Sequence, residues 1–142
     1  GEAPSGWGGE IESCWFDCET NPFTGQPFFN EVNFCHVPSK TLITTDLYWN
    51  WPRTNIPGGT RAWKFGMDAV YRPFYLAAMA DTPRLKRDAD KLLGWDFDAI
   101  LPAHGRAVGA SFLSSQISAD DEEWPRSGGD VKQLLREHLK VG

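Results

Sequence analysis

Two short segments rich in β-branched and aromatic residues, 31–36 and 41–45, are separated by a connection that contains Pro38-Ser39-Lys40. In the first segment the apolar side chains alternate with polar ones, as they do in a half-buried strand. Such a pair with a tight connection predicts a β-hairpin that ends at Asp46. Any fold for this chain must therefore contain a β-sheet.

Two further segments favour strands. Residues 10–16 alternate loosely between apolar and polar side chains. Residues 97–101 form a short apolar run that stops at Pro102-Ala103-His104-Gly105, which is typical of a buried strand. We expect both to join the sheet of the hairpin.

Helical patterns fill much of the remaining chain. Residues 61–80 are predicted to be helical, and Pro73 within them predicts a kink or two shorter helices. Thr82 as N-cap, with Pro83 at the first helical position, opens a second helix that Gly94 closes. Its apolar positions follow helical spacing and are Leu85, Ala89, Leu92 and Leu93.

A last helix is predicted from Asp130, the expected N-cap, and its apolar stripe includes Val131, Leu135 and Leu139. His138 near its end is interpreted as a partner of the helix dipole. Residues 114–126 are polar and predict a solvated loop. Strands and helices together indicate an α+β fold.

Size and charge restrict the classes of function. The 142 residues, with 41% hydrophobic composition, fit a single domain or a fragment of one, residues 1–142. The net charge of -5 argues against a nucleic-acid partner. We find no apolar run long enough for a membrane span, which leaves peripheral association with a membrane complex open. Because the chain starts at Gly1 without a methionine, we expect a missing upstream segment.

The three cysteines, Cys14, Cys18 and Cys35, are too few for a disulfide framework and odd in number. A zinc site made from them and His36 would have suitable ligand types, but the spacing is unusual. We therefore expect three buried or loop thiols.

Aromatic residues make up 13% of the chain, more than an ordinary core of this size requires. Extra packing is one explanation, and surface anchors for a partner are the other. The first candidates for contact with a partner lie in and after a Pro-rich loop and are Trp49, Trp51, Trp63 and Phe65.

Asp46 and His104 each follow an apolar strand, where strand ends usually present functional groups. The order of strand, Asp, helices, strand, Pro-x-His-Gly and helix resembles the second half of the metallo-β-lactamase fold. The segments that sharpen this resemblance are Asn30-Glu31-Val32, the stretch 36–42, Thr45-Asp46-Leu47, the stretch 71–75 and Trp95-Asp96-Phe97-Asp98.

These segments together are similar to an uncharacterised family of metallo-β-lactamase-like domains from plants, algae and bacteria, over about residues 7–113. The resemblance implies a four-layer αββα sandwich, of which this chain would hold the C-terminal half: β-hairpin, helices, buried strand and terminal helix. It also implies that Asp46 bridges two metals and that His104 completes the second metal site. The plant and algal members imply a plastid location, with a soluble intracellular location as the alternative.

The metal ligands of that superfamily are incomplete here. Its His-x-His-x-Asp-His cluster is absent from the 142 residues, and the stretch 25–29 lacks the further ligand histidine. His36 is interpreted as an ordinary strand residue, and Glu31 is only a speculative third ligand. A hydrolytic zinc needs three protein ligands and one open position for water. Asp46 and His104 could instead hydrogen-bond each other, or nearby backbone, and close the end of the sheet.

Other catalytic patterns are missing as well. The sequence has no Gly-x-Ser-x-Gly turn and no phosphate-binding loop, and Cys35 and His36 point to opposite faces of one strand. We therefore predict no catalytic residues and no assured cofactor. The first hypothesis is a non-catalytic or degenerate accessory domain that binds a protein partner or the missing N-terminal half. The second is a metal-dependent hydrolase whose other ligands lie upstream and whose complete site would hold zinc, iron or manganese.

Overall fold

The structure, a computed structural model, describes residues 7–28, 30–50, 57–105, 107–109 and 128–141, with side chains of the last segment from Val131. The predicted loop 114–126 and Trp51 lie outside these residues. The strands are β1 (Ile11–Phe16), β2 (Glu31–His36), β3 (Thr41–Asn50), β4 (Ala99–Gly105) and β5 (Val108–Gly109). The helices are α1 (Gly58–Gly66), α2 (Arg72–Phe74), α3 (Thr82–Leu93) and α4 (Gly128–Leu139), with π-helical turns at Met67–Tyr71 and Tyr75–Met79.

The five strands form one mixed sheet in the order β1-β2-β3-β4-β5. β1 pairs with β2, and β2 with β3, in antiparallel fashion, whereas β3 and β4 are parallel and β5 returns antiparallel to β4. The parallel pair needs a long crossover, and residues 58–93 supply it as helices. The predicted α+β class is confirmed at this level.

The predicted hairpin is present, with Phe34 opposite Ile43 and His36 opposite Thr41. Both predicted strand ends were wrong, because β3 continues past Asp46 to Asn50 and β4 continues past Pro102 to Gly105. β5 reaches only Ala99 and Ile100. One side of β4 is therefore open at Pro102 within the described chain, and strand proline is tolerated at such edges.

One face of the sheet packs against α3 and α4. Buried strand residues meet buried helix residues in a single core, whose members include Cys14, Phe16, Leu42 and Ile100 from the strands, Leu85, Ala89, Leu92 and Leu93 from α3, and Val131, Leu135 and Leu139 from α4. The helical spacing correctly predicted the buried apolar residues of α3, whereas the buried Asp88 of the same helix was not predicted. This burial of apolar area is the main source of stability.

The opposite face of the sheet, called here the outer face, is apolar and accessible. Phe34, Ile43 and Leu101 are direct neighbours on three adjacent strands, and Ile43 and Leu101 are 38% and 42% exposed. Trp15 lies beside Val32 on the same face, and they are 52% and 41% exposed. Among the described residues, no helix covers this face.

The chain stays helical through Pro73 and does not divide into two separate helices there, while the helix is irregular on both sides of the proline. Residues 58–79, called here the long helical segment, alternate between α and π turns on both sides of α2. Arg72, before the proline, keeps αR angles (φ -63, ψ -47). The wider π turns accommodate the missing backbone donor, and π turns are a known cause of irregular helices.

Two helix starts differ from the sequence prediction. Asp81, not Thr82, caps α3, and its carboxylate accepts a hydrogen bond from the backbone N–H of Arg84 at 3.1 Å. An aspartate is a stronger N-cap than threonine, and Pro83 still lies in the first turn. α4 begins at Gly128, before the expected cap Asp130. Gly94 ends α3 as predicted.

Cys14, Cys18 and Cys35 are free thiols, each 1% exposed. His36 bonds through Nδ1 to the Ser39 hydroxyl at 2.6 Å, as an ordinary strand histidine can. Within the described ranges no helix is long and apolar enough to cross a membrane.

Candidate functional site

Asp46 and His104 meet because β3 and β4 are parallel, so that both strands end at the same edge of the sheet. Thr44 is the partner of Pro102, and continuing that register by two residues sets Asp46 beside His104. The ladder instead shifts there, and residues 45–48 of β3 face only Ala103 of β4. This bulge lets Asp46 turn outward while Leu47 and Tyr48 remain buried.

The two side chains contact each other directly. Nε2 of His104 lies 2.9 Å from Oδ1 of Asp46, and the side chains are 55% and 64% exposed. The interpretation that this pair closes the end of the sheet agrees with the geometry. Because Asp46 Oδ1 and His104 Nε2 contact each other, neither atom is free to bind a metal in this arrangement.

Glu31 holds the bulge from the neighbouring strand. Its Oε2 accepts hydrogen bonds from the Thr45 hydroxyl at 2.5 Å, from the Asp46 N–H at 2.7 Å and from the Leu47 N–H at 3.0 Å. Backbone donors that leave the ladder in a bulge need partners, and this carboxylate supplies them. Burial raises the pKa of Glu31, and hydrogen bonds from the Thr45 hydroxyl, the Asp46 N–H and the Asn33 side chain oppose the rise. Glu31 is thus a structural residue of the site.

Glu19 is a residue of the site that sequence reasoning missed. It lies in an irregular segment fixed by the Thr20 N–H to Met79 carbonyl bond at 2.9 Å and by a bridge to Ala80. Burial raises its pKa to about 7, the charges of Glu31 and Asp46 add to the rise, and a hydrogen bond from Tyr75 opposes it. Its Oε2 is buried without a partner among the described residues. No local pattern around Glu19 signals this position.

The donor set does not fit a metal ion. No group of three or more His, Cys, Asp or Glu side chains suited to a metal occurs in the part of the chain that the structure describes. Glu31 was the speculative third ligand, but its Oε2 is bonded to backbone and its Oε1 is buried. Zinc needs three protein ligands for hydrolysis, and Asp46 and His104 supply two. The cysteine and His36 set is likewise not assembled.

A cavity of about 330 Å³ opens beside Asp46 and His104, between the end of the sheet and the long helical segment. Its walls are mainly apolar and aromatic, and they include Phe16, Trp49, Trp63, Tyr71 and Tyr75. Glu19 and Glu31 also line it. The volume lies at the lower end of the range for small-molecule sites.

The four predicted contact residues, three tryptophans and one phenylalanine, differ in position. Trp63 and Phe65 are 59% and 69% exposed on α1, as a contact residue would be. Trp49 is partly buried: its Nε1 donates to Asp68 at 3.2 Å, and Arg72 lies 6.0 Å from the centre of its ring. Trp49 is therefore part of the cavity wall. Trp51 lies outside the described residues.

His138 is not a cationic partner of the helix dipole. Its ring packs against Tyr48 and Trp49, with centroids 4.9 Å and 4.3 Å apart, and Nε2 is buried without a partner among the described residues. Burial lowers the pKa of His138 to about 3, and the positive charge of Arg72 adds to the effect. The ring is therefore neutral at neutral pH and serves as a wall of the cavity.

Comparison of the chain with protein-family models, with curated proteins and with solved structures finds no match.

Proposed function

We propose that this chain is a non-catalytic, metallo-β-lactamase-like interaction domain whose outer face packs against a second β-sheet. The observation that carries the proposal is the apolar row of Phe34, Ile43 and Leu101 across three paired strands. A strand layer that is apolar on both sides is typical of the inside of a layered fold, where both faces are covered.

A second sheet fits the outer face better than a single peptide does. The row crosses β2, β3 and β4, and Trp15 and Val32 extend the apolar surface to β1. Two sheets pack face to face about 10 Å apart with interdigitating side chains, which suits a surface of this breadth. Contiguous apolar surface of this kind marks interaction sites in soluble proteins.

The contact between Asp46 and His104 supports the non-catalytic part of the proposal. Nε2 of His104 lies 2.9 Å from Oδ1 of Asp46, and the described residues supply no further metal ligand. The resemblance to plant and algal domains favours a plastid complex as the setting. The partner is then either another protein of that complex or the N-terminal half of the same domain.

The outer face can be tested on the chain by itself, because the only second sheet available in solution is that of another copy. We expect concentration-dependent dimers in sedimentation velocity and binding of an apolar dye. Ile43→Lys and Leu101→Lys should abolish both, while far-UV circular dichroism stays unchanged. Phe23→Lys is the matched control, since Phe23 is 89% exposed but lies in a turn away from the sheet.

Two outcomes would remove the proposal. One is a chain that remains monomeric at all concentrations and binds no dye. The other is self-association that Phe23→Lys weakens as much as Ile43→Lys does, since the interface would then not be the outer face.

A metal-dependent hydrolase is the second candidate, and one observation favours it: Asp46 and His104 converge at the rim of a cavity. The remaining ligands would have to come from residues beyond those described. Elemental analysis of the full-length gene product tests it. Near-stoichiometric zinc, iron or manganese that falls in both Asp46→Ala and His104→Ala would promote the hydrolase, and metal-free folded protein would remove it.

A further inference from the structure

The cavity beside Asp46 combines an acidic end with aromatic walls, and this combination selects a class of ligand. Asp46 is exposed at its rim, and Glu19 and Glu31 lie close enough for the three charges to act on one another. In the described chain, no lysine or arginine forms an ion pair with any of the three carboxyl groups. This end of the cavity therefore carries a negative potential.

One positive group, Arg72, lines the cavity, but its contacts lie away from the acidic end. Its guanidinium lies over the Trp49 ring and donates from Nη2 to the Glu137 carbonyl at 3.2 Å, while its Nε is buried without a partner among the described residues. The charges that act on Arg72 are those of Asp68 and Tyr48, not those of the acidic end. Arg72 thus leaves the three carboxyl groups uncompensated.

The walls determine the rest of the ligand. Trp63, Tyr71 and Tyr75 of the long helical segment face the sheet end across the cavity, with Phe16 and Trp49 on the sheet side. Aromatic faces attract cations through their quadrupole and also bury apolar groups. An anion is excluded by the carboxyl groups, and an inorganic cation lacks the ligand set it needs.

We propose that this cavity binds a protonated primary amine carried on an apolar or aromatic body. The ammonium group bonds to Oδ2 of Asp46, because Oδ1 lies 2.9 Å from His104 Nε2 and no donor among the described residues bonds to Oδ2. Glu31 adds negative charge from behind, as does Glu19 above its pKa of about 7, and the aromatic walls enclose the body of the ligand. The site lies at the end of the sheet and is independent of the outer face.

The experiment is isothermal titration of the chain with 2-phenylethylamine and with 2-phenylethanol, a neutral molecule of the same shape. We expect saturable binding of the amine and binding of the alcohol weaker by about 10- to 100-fold, the difference that a charged hydrogen bond makes. Asp46→Asn should weaken amine binding by a similar factor and leave alcohol binding unchanged. Glu12→Gln, an exposed change on β1, is the control and should change neither.

The proposal is overturned if amine and alcohol bind equally, because the acidic end would then play no part. It is also overturned if neither saturates up to millimolar concentration, or if Asp46→Asn binds the amine as the unchanged chain does. Far-UV circular dichroism and thermal unfolding of each variant show that a loss of binding is not a loss of fold. A Tyr71→Leu variant tests the walls separately, and we expect it to weaken both ligands.

Discussion

His104 Nε2 and Asp46 Oδ1 lie 2.9 Å apart at the end of two parallel strands, although the helices α1 to α3 separate these residues in the sequence. The contact depends on the bulge in β3, which Glu31 stabilises through the N–H groups of Asp46 and Leu47. A pair of metal-type side chains can therefore be fixed by the sheet itself, without an ion between them.

The Asp46 and His104 pair should contribute little to stability. Both side chains are more than half exposed, and pairs of this kind are worth about 0–1 kcal/mol. We expect His104→Ala to lower the free energy of unfolding in urea by less than about 1 kcal/mol. A chelator should leave the unfolding curve of the unchanged chain where it is.

Glu31→Ala is the informative comparison for this pair, because it removes the residue that holds the bulge. The N–H groups of Asp46 and Leu47 lose their acceptor, and we expect the free energy of unfolding to fall by about 1–3 kcal/mol. If His104→Ala destabilised the chain more than Glu31→Ala, the site would depend on His104 in a way that this geometry does not explain.

Glu19 should make the chain less stable at alkaline pH. The pKa of Glu19 is raised from 4.5 to about 7 in the folded chain, mainly by burial and then by Glu31 and Asp46. Between these two values the folded state binds more protons than the unfolded state, so the contribution of Glu19 falls as pH rises from 4.5 to 7. We expect Glu19→Gln to be more stable than the unchanged chain at pH 8, by about 1–3 kcal/mol.

The measurement for Glu19 is urea unfolding at pH 5 and at pH 8. At pH 5 the side chain is already protonated when folded, so the two chains should differ little. The groups around it are Tyr71, Tyr75, Glu31, Asp46 and Cys18, and Gln can still accept the bond from Tyr75. Equal stability of both chains at pH 8 would show that Glu19 is hydrated in the folded state.

The local part of the fold could be predicted from the sequence. The hairpin from β2 to β3 and the buried residues of α3 follow from alternation and helical spacing, because packing selects those periods directly. The contact of Asp46 with His104 was also among the expected alternatives. The hairpin and the buried face of α3 depend on neighbours along the chain. The contact of Asp46 with His104 could be anticipated because each residue follows a predicted strand.

The remaining features depend on contacts between distant residues. Glu19 becomes part of the site only because the segment after β1 pairs with the end of the long helical segment. The lengths of β3 and β4 were wrong because parallel pairing carries both strands beyond Asp46 and Pro102. His138 was assigned to the helix end because the sequence does not show that Tyr48 and Trp49 cover it.

His138 should destabilise the chain in acid. Its pKa is lowered from 6.5 to about 3 by burial, so below pH 6.5 the unfolded state binds more protons than the folded state. Stability is therefore lost as pH falls from 6.5 toward 3. His138→Phe keeps an aromatic ring against Tyr48 and Trp49 and should gain about 1–3 kcal/mol over the unchanged chain in this range.

Urea unfolding at pH 7.5 and at pH 5 checks this prediction. At pH 7.5 both rings are neutral, so any difference measures packing alone. Leu134→Met on the same helix serves as a control for packing, since it introduces no titratable group. If His138→Phe lost as much free energy of unfolding between pH 7.5 and pH 5 as the unchanged chain does, the titrating group would be a residue other than His138.

Gly105 tests whether the two strands are as closely joined at this end as the Asp46 and His104 contact requires. It has φ +98, and a Cβ atom there would lie 2.0 Å from the Asn50 carbonyl oxygen of β3, which is backbone and cannot rotate away. Gly105→Ala should therefore cost about 2–4 kcal/mol, the range of strained or overpacked substitutions. Gly66→Ala is the matched control: no atom lies within 4 Å, and a helical alanine should stabilise the chain by about 0.5–1 kcal/mol. If neither substitution lowered the free energy of unfolding in urea, β3 and β4 would not be in contact at Asn50 and Gly105. The sheet would then not hold Asp46 and His104 in the positions described.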